Sequence, residues 1–424
     1  MIYLDNSATT RQYDEVTAAM VRAMQEDYGN PSSLYQLGVD AEKAVKAARR
    51  HVLEAAGWFA ASDWDVVFTS GGTEADNMAI FGAAKALRRQ GNRIITTTVE
   101  HPAVLECMKQ LEAEGFEVIR IGVDAQCNPD MKQMEESIDG RTILVSMMHV
   151  NNEVGTVMPA GAVKEIMRSK GAPGLFHCDA VQSFGKMPLP AEADLISVSG
   201  HKIHGPKGSG ALLMNRNTAG ASAGSGGSGK GVSIPAFIVG GGQESGRRSG
   251  TENVPAIIGL GCAAKIAAAD GSVDMVDTNG EGLYGADAGG GYLSMAEIAA
   301  MRQQLLDGLC SKIEDIEINS PPAAGLAPGQ CCPSVLNVNF KDTRGEVILH
   351  TLEQEDICVS TGSACSSNKK GQSHVLEAMG QSSKDIEGAI RFSLGRLNSP
   401  DEVDVVVDAV ASAVKRFRRL GSFR

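Results

Sequence analysis

The sequence predicts an α/β protein whose largely parallel sheet is covered by helices on both faces. Three observations predict it. Short apolar runs alternate with helical patterns through the first half of the chain, as parallel sheets with crossover helices require. The polar, chemistry-bearing residues fall at the ends of those runs, where such sheets bind ligands. Finally, 424 residues with 43% hydrophobic and 21% charged side chains supply a large core and fit two closely associated domains.

Taken in order, Asp5-Asn-Ser-Ala-Thr-Thr10 is a turn-rich entry. The next helix carries Val16, Met20 and Met24 on one face and stops at Tyr28-Gly29-Asn30-Pro31. Ser33 and Gln36 read as a capping box for a long helix towards Ala56, with Leu37, Ala41, Ala44, Val45, Ala48 and Val52 as its apolar stripe. Strand 66–69 precedes a helix over 74–88, and strand 94–99 precedes one over 103–114. Strands 118–123 and 142–148 follow, then a helix around 162–169 and strands 175–178 and 195–198.

Two stretches break this rhythm. Residues 219–231 are Gly/Ser/Ala low complexity, a flexible surface loop by composition. Residues 270–291 are rich in Gly and Asp; Asp277-x-Asn279-x-Glu281-Gly282 looks like a calcium loop, but its twelfth position is Ala288 and not a bidentate Glu. No metal is assigned there. A smaller domain follows, with helices at 295–314 and 345–353 and strands at 335–340 and 357–360. The last helix has Ser399 as N-cap, Pro400 first, Asp401 and Glu402 in its first turn and arginines in its last. The large domain is expected over 15–262, with 1–14 and 263–424 forming the small one.

A net charge of −12 argues against a nucleic-acid-binding surface, and Lys415-Arg416-Phe417-Arg418-Arg419 fits the favourable end of a helix dipole. No run of about 18 apolar residues indicates a membrane span. The N-terminus lacks a basic segment and an apolar signal core, so a cytoplasmic location is expected. Nine irregularly spaced cysteines without a Cys-x-x-Cys pair read as reduced thiols, with vicinal Cys331-Cys332 structural.

Four stretches carry chemistry. In Ser199-Gly-His-Lys-Ile-His-Gly-Pro-Lys-Gly210, Lys202 stands at a strand end beside a hydroxyl and an imidazole, where a lysine can be partly desolvated and act as an amine nucleophile. Thr69-Ser-Gly-Gly-Thr-Glu74 presents free N–H groups and the Thr73 hydroxyl at a helix N-terminus, either as an anion site or as a plain N-cap with Thr73 capping. It is not a nucleotide P-loop. His101 ends one strand as a structural residue or as a flat ring that stacks on an aromatic cofactor. Asp179 follows a short apolar strand, and a buried carboxylate needs a cation or strong donor; Gln182 is one helical turn on.

This ordered set meets the demands of pyridoxal phosphate (PLP): an amine to bond it, a carboxylate for its ring nitrogen and a phosphate cradle. The chain resembles the class V aminotransferase-type PLP enzymes, and within them the NifS/IscS group of cysteine desulfurases. The resemblance runs from Tyr3-Leu-Asp-Asn6 to Arg391-Phe-Ser-Leu-Gly-Arg396 through Gly29-Asn-Pro-Ser-Ser33, Glu100-His101, Asn151-Asn-Glu-Val-Gly155, Ser199-Gly-His-Lys202 and Arg248-Ser-Gly-Thr251. It implies a fold type I, aspartate-aminotransferase-like architecture: a mostly parallel seven-stranded sheet in the large domain and a smaller α+β domain. It also implies that Lys202 bonds the cofactor, His101 stacks on it, Asp179 pairs with its nitrogen and Gln182 with its hydroxyl. Gly72, Thr73, Ser199 and His201 would hold the phosphate, and Thr251 would reach it from the partner of a homodimer. Asn30, Asn152 and Arg391 would bind substrate, the arginine by a guanidinium fork.

In the resemblance, Cys365 of Val359-Ser-Thr-Gly-Ser-Ala-Cys-Ser-Ser-Asn-Lys-Lys-Gly-Gln-Ser373 is the sulfur-accepting thiol on a longer, mobile loop. The implied reaction takes sulfur from L-cysteine, leaving alanine and a Cys365 persulfide for an acceptor such as an iron–sulfur scaffold protein. Selenocysteine lyase or another class V reaction is the enzymatic alternative, and a PLP-binding scaffold the non-enzymatic one. An intact Lys202, Asp179 and Cys365 set speaks against the last.

Overall fold

The computed structural model describes residues 1–57, 63–219, 231–271, 291–322, 331–361 and 372–421. The calcium-like run, most of the Gly/Ser/Ala stretch and Cys365 lie outside the described residues.

Strand β1 (Ile2–Tyr3) leads to helices α1 (Asp14–Gln25) and α2 (Gln36–Ala55). Alternation follows through β2 (Trp64–Thr69), α3 (Gly72–Leu87), β3 (Arg93–Thr97), α4 (Pro102–Ala113), β4 (Glu117–Ile121), α5 (Met131–Ser137) and β5 (Thr142–Met148). It continues with α6 (Ala160–Ser169), β6 (Leu175–Asp179), β7 (Leu195–Ser199), β8 (Gly210–Asn215) and α7 (Val254–Ala268). Next come α8 (Met295–Lys312), β9 (Ile316–Ile318), β10 (Val335–Phe340), α9 (Gly345–Glu353) and β11 (Ile357–Cys358). The chain closes with α10 (His374–Ala378), α11 (Ser383–Glu387), β12 (Ala389–Ser393) and α12 (Glu402–Gly421).

The main sheet has seven strands in the order β2-β8-β7-β6-β5-β3-β4, parallel except for β8, which runs antiparallel to both neighbours. All of β5 is buried, as expected of a strand covered on both faces. Alternating side chains feed two cores. Val66, Phe68, Ile196 and Leu213 face α1, α2 and α7, while Val67, Leu195, Leu212 and Met214 face α3 and α4. A third core joins Leu4, α8, α9, α12, β10 and β12; it includes the antiparallel sheet β12-β10-β9 and sits beside the β1-β11 pair. A boundary after Cys262 would cut α7, which runs unbroken to Ala268 and packs as a whole on the main sheet's side.

Three helix details differ from expectation. On α1 the buried face is Val16, Ala19 and Ala23, and Met24 is exposed. No capping box opens α2: Tyr35 is its N-cap without a side-chain bond, and Ser33 donates its N–H to the Asn30 carbonyl. The cause is packing, because the 29–33 turn lies directly on the first turn of α2. A Cβ at Gly38 would stand 2.3 Å from the Ser33 carbonyl oxygen, and one at Gly29 would stand 2.1 Å from that of Leu37. Finally, α12 starts at Glu402, after Ser399 and Pro400; the Glu402 carboxylate accepts the Ser399 N–H at 3.1 Å, the reciprocal half of a capping box. Among the described residues no helix is long and apolar enough to cross a membrane.

Candidate functional site

Strands β3, β5, β6 and β7 end on the same edge of the sheet, and the N-terminus of α3, the 7–8 backbone and β12 close over it. The result is a cavity of about 230 Å³. Gly72, Thr73, His101, Asn152, Asp179 and Gln182 line it. So do Ser199, His201, Lys202 and Arg391. The sequence expected all ten, and the topology brings them together. Asn30 and Thr251 are exposed and outside the lining.

Lys202 closes a short 3₁₀ turn after β7. That turn needs Gly200, since a Cβ there would stand 2.4 Å from Ser209 Oγ. The Lys202 Nζ donates to the carbonyls of Ser7 and Ala8, at 2.5 and 2.8 Å. The N-terminal segment is stitched to the same turn: the Thr10 N–H and Oγ1 both donate to the His201 carbonyl at 2.9 Å. Lys202 therefore points inward over backbone oxygens.

Asp179 ends β6, buried, and accepts the Val181 N–H at 2.9 Å. Among the described residues no lysine or arginine forms an ion pair with it. Burial pushes its carboxyl up; His101, the Val181 N–H and Lys202 pull the other way. His101 caps α4 by accepting the Ala103 N–H on Nδ1 at 3.2 Å, and burial lowers its pKa, so its neutral ring carries the proton on Nε2.

The open question about Thr69–Glu74 has an answer in the backbone. Gly71, not Thr73, is the N-cap of α3, and no side chain caps it. The first N–H groups of α3 thus face the cavity beside Ser199 and His201. A Cβ at Gly72 would stand 2.6 Å from Val181 Cγ2, so the cradle is shaped by the missing side chain. Beyond it a hollow of about 410 Å³ carries Lys207. The Gln182 amide donates to the Ser7 carbonyl at 3.0 Å.

Arg391 is 1% exposed. Its Nη2 meets Asp5 Oδ1 at 2.7 Å, its Nη1 donates to the Asn152 carbonyl at 3.0 Å, and its Nε makes no hydrogen bond. Asp5 stands in the Tyr3-Leu-Asp-Asn6 stretch that carries the family resemblance, but no role was expected of it. Two further buried carboxyls, within Glu100-His101 and Asn151-Asn-Glu-Val-Gly155, likewise had no expected role. Glu100 accepts from Thr97 Oγ1 at 2.6 Å and from the Met148 N–H, and burial pushes it up to about 8. Glu153 accepts from the Ser373 hydroxyl at the cap of α10, and burial pushes it up to about 7. Together Ser373 with Glu153, and His374 Nε2 at 3.0 Å from the Glu100 carbonyl, tie the start of α10 to the two loops that build the cavity. Among the described residues no group of His, Cys, Asp or Glu is placed to hold a metal ion.

The aminotransferase class-V family model matches residues 2–406. The chain belongs to that family. It is 39% identical to a cysteine desulfurase of Trichormus azollae over 427 aligned residues, covering all of this chain and 95% of that protein. It is 38% identical to the cysteine desulfurase IscS of Klebsiella pneumoniae, covering 99% of this chain and 94% of the relative. Among solved structures, a NifS-like protein superposes with a TM-score of 0.80 at 34% identity, covering 98% of this chain and 99% of its own.

Proposed function

We propose that this cavity binds pyridoxal phosphate and L-cysteine and that the chain passes the substrate sulfur to Cys365. The chain is a PLP-dependent cysteine desulfurase by its family and its full-length relatives. The observation that carries the site reading is one juxtaposition: Lys202 and the buried carboxylate Asp179 share a cavity with a helix N-terminus that no side chain caps.

The residues fit the cofactor. The α3 N–H groups, Thr73, Ser199 and His201 would hold the phosphate, and Asp179 would pair with the ring nitrogen. His101 would lie against the ring, Gln182 near its hydroxyl, and Lys202 would bond it. Bound there, PLP supplies an electron sink that makes the substrate Cα–H acidic.

The chain's own groups do the rest. Arg391 and Asn152 would hold the substrate carboxylate, with Asn30 as a further substrate contact. Lys202 takes the Cα proton on Nζ and returns one to the product. The Cys365 thiolate attacks the substrate sulfur; an S–S bond forms, the C–S bond breaks, and cysteine leaves as alanine while Cys365 keeps a persulfide. An acceptor protein of the iron–sulfur scaffold kind then takes that sulfur.

We read the working unit as a homodimer. Thr251 is exposed outside its own cavity, and the segment before it carries Phe237, Ile238 and Val239 at 38, 38 and 82% exposure. Arg248 staples this segment to the first turn of α3 through Glu74 at 2.9 Å. A cytoplasmic setting agrees with the eight described cysteines, all free thiols. The test is a single turnover of the PLP-loaded chain with L-cysteine. Alanine and a persulfide mapped to Cys365 should appear in equal amounts, and Cys365→Ser should bind cysteine yet give neither. A persulfide on another cysteine would refute the assignment.

A further inference from the structure

Asp76 lies on α3 one turn beyond the cradle, 1% exposed, and lines the same cavity as Asp179. Its Oδ1 makes no hydrogen bond, and no lysine or arginine pairs with it among the described residues. The nearest ionisable nitrogen is Nε2 of His177, at 3.5 Å. His177 is wholly buried between two hydroxyls, Ser146 Oγ at 2.9 Å from Nδ1 and Ser197 Oγ at 2.9 Å from Nε2. Burial pushes this imidazole down to about 3, so it is neutral. The titratable groups that face Asp76 are His177 and Asp179 on β6, Glu100 after β3 and Cys107 on α4, while Cys178 of β6 points into the core on the other side of the sheet. None is a fixed cation.

We propose that Asp76 is a positioning residue that stays protonated, carrying the proton of a carboxyl pair whose ionised member is Asp179. The proposal rests on the reading of the cavity as the cofactor site. Its cause is electrostatic: one cationic ring nitrogen neutralises one buried carboxylate, and a second charge beside it would be uncompensated. Asp179 has the Val181 N–H and Lys202 to favour its charge. Asp76 has only Ser197, while burial and the Asp179 charge both raise it. The proton then orders the buried chain. Asp76 donates to Ser197 Oγ, Ser197 donates to His177 Nε2, and His177 donates from Nδ1 to Ser146 Oγ. That fixed network braces β6 under Asp179 and leaves Asp179 the single anion at the ring.

The experiment compares the full chain with Asp76→Asn and Asp76→Ala. An asparagine amide donates in the same direction as the protonated acid; an alanine does not. Unfolding of the PLP-free chain is followed from about pH 6 to about pH 9. A carboxyl whose folded pKa is raised is most stable at low pH and loses stability as pH rises, so the parent should lose ground to Asp76→Asn across this range. PLP affinity should change less than about three-fold in Asp76→Asn and fall about ten-fold or more in Asp76→Ala. An asparagine variant that loses stability relative to the parent as pH rises, or that loses PLP as the alanine variant does, overturns the proposal. The unfolding comparison needs no cofactor, so a parent chain that failed to take up PLP would count against the cofactor reading alone.

Discussion

Replacing Arg391 by lysine tests how the substrate carboxylate is held. The guanidinium is buried and its geometry is set from two sides, by Asp5 Oδ1 at 2.7 Å and by the Asn152 carbonyl at 3.0 Å, with Nε left over. Lysine keeps the charge but is a point donor. It can stay with Asp5 or reach a substrate carboxylate, and it cannot present a fork to one while held by the other. The loss is one charge-assisted hydrogen bond, about 1.5–3 kcal/mol. At about 1.4 kcal/mol per decade, KM for L-cysteine should rise roughly ten- to hundred-fold. These contacts act alike on bound substrate and transition state, so kcat should fall by less than about three-fold. Alanine release against cysteine concentration measures both constants, and thermal unfolding confirms that the variant is folded. A KM within two-fold of the parent, or a fall confined to kcat, would refute the role given to Arg391.

Three further outcomes follow from the same geometry. Burial pushes the Glu153 carboxyl up from its ordinary value of about 4.5 to about 7, so the parent should lose stability as pH rises between those values, by up to about 3 kcal/mol. Glu153→Gln, measured by denaturant unfolding at several pH values, should remove that part of the slope; an unchanged slope would show that Glu153 ionises normally. Ser373→Ala removes the N-cap of α10 and the partner of Glu153, and should cost about 1–2 kcal/mol in unfolding while leaving PLP uptake intact. Mixing Lys202→Ala chains with Thr251→Ala chains should restore activity well above either parent variant, because hybrid dimers hold one site with both residues. Confirmed subunit exchange without that gain would place Thr251 outside the partner's site.

Much of the site was legible because its residues stand where apolar runs stop. His101, Asp179 and Ser199 each follow a strand that reads as buried, and Lys202 sits just beyond one. The alternation of runs likewise announced the parallel sheet. Helix α7 escaped because it is apolar all round: eleven of its residues, from Val254 to Ile266, are buried, so it has no amphipathic stripe to detect. The cap assigned to Ser33 failed because the turn at Gly29 packs on Gly38, a contact between backbones that local pattern does not encode. Asp5, Asp76 and Glu153 were missed for a related reason. A charged residue in a turn or on a helix reads as solvated unless its three-dimensional neighbours are known, and those neighbours here come from β12, β6 and α10.

The central claim is that Lys202 is the residue to which the cofactor bonds. Borohydride reduction of the PLP-loaded full chain, followed by peptide mapping, tests it directly. The account predicts one stable pyridoxyl label per chain, on Lys202, and none in Lys202→Ala. A label on another lysine of the parent, such as Lys186 or Lys207 beside the cavity, or a Lys202→Ala chain that still takes a full label, would contradict it.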